Sequence, residues 1–274
     1  MRKWVIGLIC CTAAMPMLYC VWLLARMCLF DYFSIPTNSM TPTIEPGDKV
    51  VVNKLVFGAR IYTDLHFRRD GQELKSFRLK GLRRIRHNDI VVFNFPVHND
   101  SISFVINHVY CKRVVGLPGD TVRAVNGHLC NNNFRGTLGV KERQVQLEHI
   151  AERALKAYKV FDVAPRDSLF AWNIKGWGPL YIPRKGDVIT ITPREAMLYR
   201  MLLEWETGTK VRWDWDSGKV FAGNKVLTSH RFRHSYYHIC GDYALDSYDS
   251  RYWGLVPEEY IVGVVAKVIK RYKR

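Results

Sequence analysis

Acidic side chains are in short supply: Asp and Glu number 25 against 41 Lys and Arg, which leaves a net charge of +16. An excess of that size points to a polyanionic partner, either nucleic acid or an anionic membrane surface. Aromatic-interleaved groove motifs and finger patterns are also missing, so nucleic acid is set aside. Cysteine is scarce outside the N-terminal region. Of the seven, Cys10, Cys11, Cys20 and Cys28 lie in or beside an apolar run, leaving Cys111, Cys130 and Cys240. An odd set of three without CxxC spacing does not read as a disulfide framework or a zinc site. The nine histidines form no HExxH, and no metal is expected.

What is present begins with length and apolar content. A chain of 274 residues, 48% hydrophobic, can bury a core and has room for one large domain or two small ones. From Trp4 to Ala25 there are 22 consecutive uncharged residues. As a helix rising about 1.5 Å per residue, they reach across a hydrocarbon layer of roughly 30 Å. A cleaved secretory signal is the competing reading, since Arg2 and Lys3 make a basic leading segment. The run exceeds the usual apolar length of such signals, carries Pro16 in its middle and ends in no small-x-small site. The expectation is an uncleaved anchor over residues 1–30, its N-terminus cytoplasmic and the body of the chain on the far side.

Beyond it, a turn dipeptide followed by β-branched residues recurs: Gly47-Asp48 before KVVV, Asn88-Asp89 before IVVF, Gly119-Asp120 before TV and Gly186-Asp187 before VITIT. This punctuation predicts a mainly β protein. Two segments read as helices, 147–158 and the stretch from Pro193 to a stop at Gly208, the latter opened by the capping pattern Thr192-Pro193-Arg194-Glu195. Both lie in 124–235, which is expected to be an inserted α+β subdomain between two parts of a β core, 31–123 and 236–270. Residues 60–86 carry nine Lys/Arg against three acids, and a basic tail, 271–274, closes the chain. Attraction to anionic phospholipid headgroups accounts for both as well as a solvated face does.

Three stretches carry the chemistry. The first, IPTNSM at 35–40, frames Ser39 shortly after the apolar run. The second, VYCKRVVGLPGD at 109–120, sets Lys112 in an apolar strand, where alternation puts Tyr110, Lys112 and Val114 on one face and Cys111 and Arg113 on the other. Burial there disfavours the charged amine, and a neutral lysine is a general base for a serine hydroxyl; the alternative is a lysine that reaches solvent or pairs with an acid. The third, GDYALDSYDSRYWG at 241–254, supplies Asp242, Ser247, Asp249 and Arg251 in a polar, turn-rich segment.

In this order after an apolar N-terminal run, SMTPTI with GDKVVVNK, KRVVGLPGD and GDYALDSYDSRYWG resemble the motifs of bacterial type I signal peptidases. The resemblance covers the apolar run, 31–54, 88–120 and 240–266. It implies a signal-peptidase-like antiparallel β core and a membrane-bound serine endopeptidase of the bacterial inner membrane, single-pass with its catalytic domain outside the cytoplasm. Such an enzyme removes signal peptides from exported preproteins, cutting after small residues through an acyl-enzyme and without a cofactor. Position by position, Ser39 matches the nucleophile and Lys112 the base. Thr37 matches the hydroxyl that joins the Ser39 backbone N–H in the oxyanion hole, and Ser247 the serine that orients the lysine. Asp249 with Arg251, and Arg113 with Asp242, match supporting ion pairs. Phe33, Ile35, Pro36, Tyr110 and Cys111 are implied as substrate-pocket walls, Cys111 only if the strand twists or the lysine chain bends back.

The chain departs from the family in having Tyr243 after the last Gly-Asp, where Asn is usual, and in leaving Cys130 without a second cysteine in the middle region. A specialised maturation peptidase of the same Ser/Lys class, of pilin or conjugation type, fits the motifs too. So does an inactive tethered binding module of the same fold. A Ser/His enzyme fits less well, because Lys112 holds the decisive position and His108 precedes it on the same predicted strand.

Overall fold

A computed structural model describes residues 2–63, 76–105 and 108–271. The middle of the basic segment, 64–75, and the tail beyond Arg271 lie outside the described residues. Among those described, the largest sheet has seven strands: β1 (Phe30–Ser34), β2 (Lys49–Asn53), β3 (Ile90–Asn94), β4 (Val109–Gly116), β5 (Tyr236–Cys240), β6 (Val256–Pro257) and β7 (Ile261–Ile269). Their spatial order is β1-β2-β7-β3-β4-β5-β6, with antiparallel neighbours throughout. The mainly β expectation therefore holds.

The recurring dipeptides form one repeated turn. In Glu45–Asp48, Arg86–Asp89, Leu117–Asp120 and Arg184–Asp187, the third residue has φ of 91°, 67°, 92° and 93°. Glycine adopts that region without penalty and asparagine tolerates it. In each turn the Asp backbone N–H returns to the first carbonyl at 3.0–3.1 Å, while the Asp carboxylate accepts the first residue's N–H at 2.8–2.9 Å. The aspartate thus closes the turn twice, and a strand leaves it in a fixed direction.

Alternation along the strands fills two cores. Val91, Phe93, Val114 and Ile239 join a large cluster that includes Ala124, Leu147, Leu155, Leu203 and Phe232 of the middle region. Val50, Val52, Val92 and Cys111 pack on the other side with Ile35, Met40 and Ile44. The segment 124–235 thus shares its core with the main sheet, and its expected boundary at 123/124 falls inside the strand Thr121–Val125.

The middle region contains the expected helices in broken form. The one anticipated at 147–158 starts earlier and divides into α2 (Lys141–His149) and α3 (Glu152–Ala157), because Ile150 and Ala151 are extended. Each half is held by one buried leucine, Leu147 or Leu155. The second runs as α4 (Pro193–Leu198) and α5 (Arg200–Thr207), capped by Thr192 and ended by Gly208 at φ 68°.

At the N-terminus α1 runs Arg2–Cys28, with its side chains described from Ala14 except Met27. The anchor expectation must be corrected to this extent: among the described residues no helix is long and apolar enough to cross a membrane.

Candidate active site

Ser39 lies in a 3-10 turn, Asn38–Met40, entered from Thr37 in extended conformation. Met40 and Ile44 are fully buried and pin the turn to the second core. The Ser39 carbonyl accepts the Tyr243 N–H at 3.0 Å, so the third motif holds the first directly. Pairing between β4 and β5 stops at Arg113 opposite Cys240, and the turn docks where β5 has left. Residues 109–112 consequently pair with β3 on one side only among the described residues.

Lys112 Nζ donates to Ser39 Oγ at this point. Both residues are buried, at 3% and 4% exposure. Burial pushes the Lys112 amine below the ordinary lysine range, against the pull of the nearby Asp249 carboxylate. Serine hydroxyl and poorly solvated amine are thus already joined by the bond along which a proton would pass. Thr37 Oγ1 lies 3.3 Å from Ser39 Oγ.

Two ion pairs flank the site. Arg113 binds Asp242 through two bonds of 2.7 Å and also reaches the Asn88 carbonyl and Thr43 Oγ1, each at 3.1 Å. Arg251 binds the fully buried Asp249 at 2.8 and 2.5 Å, and Asp249 further accepts the Gly241 N–H at 2.8 Å. Burial alone would raise the Asp249 carboxyl, but the Arg251 charge and these donors hold it below the usual carboxylate range. Ser247 differs from expectation. Its hydroxyl donates to Asp249 at 2.6 Å, whereas the Lys112 amine bonds Ser39. The Asp249 carboxylate draws the Ser247 proton, leaving the oxygen lone pairs as acceptors.

Among the implied pocket residues, Phe33, Ile35 and Cys111 gather in the second core beside Met40, with Pro36 exposed next to them. Tyr110 packs on the other face against Phe93 and Phe95, and Lys112 Nζ lies 5.7 Å from its ring. Alternation therefore separates Tyr110 from Cys111, as the sequence predicts. His108 packs at a tilt against Phe95, His98 and Tyr110 rather than meeting Ser39.

Three contributors escaped the sequence reading. Thr43 donates to Asp242 at 2.5 Å, Tyr243 acts through its backbone, and Gly241 leaves room no other residue would. A Cβ on Gly241 would sit 2.1 Å from Ser247 Oγ and 2.6 Å from the Ser39 carbonyl. The only sequence signal for them was membership of the quoted motifs. Among the described residues no cluster of His, Cys, Asp or Glu has the makings of a metal site.

Comparison with known proteins identifies a family. Residues 8–269 match the family model described as signal peptidase, peptidase S26. Signal peptidase I of Pseudomonas aeruginosa is 33% identical over 160 residues, covering 53% of this chain and 50% of that protein. That of Pseudomonas fluorescens is 30% identical over 258 residues, covering 90% of this chain and 67% of the relative. A Buchnera aphidicola signal peptidase I is 26% identical over 260 residues, covering 91% and 72%. The chain thus spans from half to nearly three quarters of the length of these relatives. It belongs to the peptidase S26 family of signal peptidases.

Proposed function

We propose that the chain removes signal peptides from exported preproteins, with Ser39 as nucleophile and Lys112 as general base. The observation that carries this reading is the buried hydrogen bond from Lys112 Nζ to Ser39 Oγ. The amine takes the serine proton as Oγ attacks the carbonyl, returns it to the leaving amine, and then activates the water that releases the acyl-enzyme. Thr37 Oγ1 and the Ser39 N–H stabilise the oxyanion. The Asp249–Arg251 pair holds Ser247 and Gly241 against this seam, and the Arg113–Asp242 pair fixes its other end.

The substrate adds as a strand along the one-sided edge of residues 109–112. Its small side chains face the shallow ground of Phe33, Ile35, Pro36 and Cys111, with Tyr110 positioned behind Lys112.

The enzyme works at a membrane, held by the N-terminal helix. Met15, Met17, Leu18 and Tyr19 of α1 are all more than half exposed. Beyond the helix, Phe30, Tyr32, Phe77, Leu79 and Leu82 stand 47–76% exposed. A scattered exposed apolar residue needs no explanation, but this many near one helix end suits a lipid surface. Arg26 and Lys54 both pair with Asp31 there and join helix to sheet.

Incubating the full-length protein in detergent with a preprotein should yield the mature chain, and acyl-enzyme should be found on Ser39 by mass spectrometry. Ser39→Ala should yield neither. Cleavage undiminished by that substitution would sink the assignment. Processing of several unrelated preproteins, rather than one, would separate a general signal peptidase from a specialised maturation enzyme.

A further inference from the structure

Next to Ser39 lies a cleft of about 440 Å³ whose lining includes Asn38, Thr41, Glu45, Arg143 and Tyr243. None of Phe33, Ile35, Pro36, Tyr110 or Cys111 contributes to it. A peptide whose acyl half lies over those residues therefore has this cleft available beyond the bond that is cut. Two of its walls touch the nucleophile's own turn: Asn38 belongs to it, and the Tyr243 N–H binds the Ser39 carbonyl.

Arg143 comes from α2, in the middle region, and its guanidinium carbon lies 4.4 Å from the centre of the Tyr243 ring. It donates to Gln146 Oε1 at 2.8 Å and, weakly, to Thr41 Oγ1 at 3.5 Å. Among the described residues no carboxylate pairs with it, whereas Arg113 and Arg251 nearby are each bound by two bonds to an aspartate. A guanidinium has five N–H donors, so most of its capacity is uncommitted. The helix beneath it is firmly seated: Leu147 is buried, Gln144 Oε1 accepts the Leu129 N–H at 2.8 Å, and Gln144 Nε2 donates to the Leu138 carbonyl at 2.5 Å. The cation is thus held in place before any ligand arrives, which limits the ordering cost of binding.

We propose that this cleft is the subsite for the first two residues after the cut, and that Arg143 selects an acidic side chain there. The inference rests on the reading of Ser39 as nucleophile. Glu45 is the acidic member of the lining and sits at the start of the Glu45–Asp48 turn, farther along the chain from Ser39 than Thr41, which Arg143 reaches. Its carboxylate works against an acidic ligand, so the two charges make opposite predictions.

The test uses the full chain in detergent and peptides identical up to the cut that carry Glu, Gln or Lys at the second residue after it. The Glu peptide should exceed the Gln peptide in kcat/KM by about fivefold, near the upper limit for a solvent-screened ion pair. Arg143→Gln should bring that ratio close to one, Arg143→Lys should keep part of it, and Glu45→Gln should raise it. Lys141→Gln, an exposed charge on the same helix, should leave it unchanged, which separates a local contact from the general positive field. Each ratio is internal to one variant, so loss of folded protein cancels. A ratio unaffected by Arg143→Gln, or a preference for Lys, would overturn the subsite while leaving Ser39 in place. Failure to cut any of the peptides, with folded protein, would overturn both.

Discussion

Lys112 and Glu206 are buried to nearly the same degree, 3% and 2% exposed, yet their surroundings treat charge in opposite ways. Glu206, on α5, accepts four donors: the Tyr236 hydroxyl at 2.6 Å, His230 Nε2 at 2.7 Å, and the N–H groups of Arg233 and His234 at 2.8 and 3.3 Å. Burial alone would raise its carboxyl, but these partners hold it below the usual range. Lys112 bonds a single hydroxyl, and burial leaves its amine below the ordinary lysine range. A buried charge that holds a fold together is saturated with partners. One that must give and take a proton is kept short of them, because full satisfaction would fix its protonation state.

The sharpest way to break this contrast is to make the charge at position 112 permanent. Lys112→Arg keeps a long cationic side chain but stays protonated at any workable pH. It should lower kcat/KM by at least about 10³-fold, since nucleophile and base act as a unit. Retention of a tenth of the activity would remove Lys112 from the role of base. In the unsubstituted protein the amine must be neutral to act. With its affinity for protons depressed, activity should rise with pH as Lys112 deprotonates below the ordinary lysine range. A kcat/KM profile measures this in the free enzyme; a limb in the imidazole range would point to a histidine such as His108 instead.

Next in size is Thr37. Thr37→Val keeps the β-branched shape and deletes the hydroxyl that stands 3.3 Å from Ser39 Oγ. An oxyanion donor acts on charge that exists only as the reaction proceeds, so kcat should fall by about 10²–10³ with KM nearly constant. Thr37→Ser should remain active. A loss below about threefold, or one confined to KM, would assign the oxyanion to backbone donors alone.

Local chemistry was the legible part of this chain. The Gly-Asp and Asn-Asp turns were readable because positive φ admits few residue types, and each aspartate that follows also closes its turn. Ser39, Lys112 and the two ion pairs were readable because they fall inside short motifs. What escaped depends on chain segments brought together from far apart. Thr43 meets Asp242 across 199 positions and Arg143 reaches Thr41 across 102, and neither pairing leaves a local pattern. Gly241 is needed only because the first and third motifs press against it. The shared core of 124–235 was hidden for the same reason: Leu147 and Leu155 show that something packs on them, but not that it is the main sheet. Ser247 was assigned to Lys112 by analogy, whereas the stronger acceptor, the Asp249 carboxylate, takes its proton.

The smallest effects contrast the two buried charges through stability. Glu206→Gln keeps the shape but leaves one oxygen where two accepted four donors, and its new amide N–H₂ must face donors. The loss should be about 2–3 kcal/mol, the scale of hydrogen bonds to a buried charge, or roughly 6–9 °C in Tm for a chain of this size. The sign with pH follows from the depressed carboxyl. Glu206 contributes fully above the usual carboxylate range, and its contribution fades as pH falls through the lower folded value, so wild type and Glu206→Gln should converge in acid. Lys112→Met should do the reverse. For a lysine whose amine is depressed on folding, the unfolded chain binds more protons between the folded value and the ordinary lysine range, so its burial costs most at lower pH and less as pH rises. Replacing it with an apolar side chain of similar length should raise stability by about 1 kcal/mol at neutral pH while abolishing cleavage. Thermal melts at several pH values would decide both. If Lys112→Met were destabilising, the amine would be a supporting charge like Glu206, and the contrast between the two sites would fail.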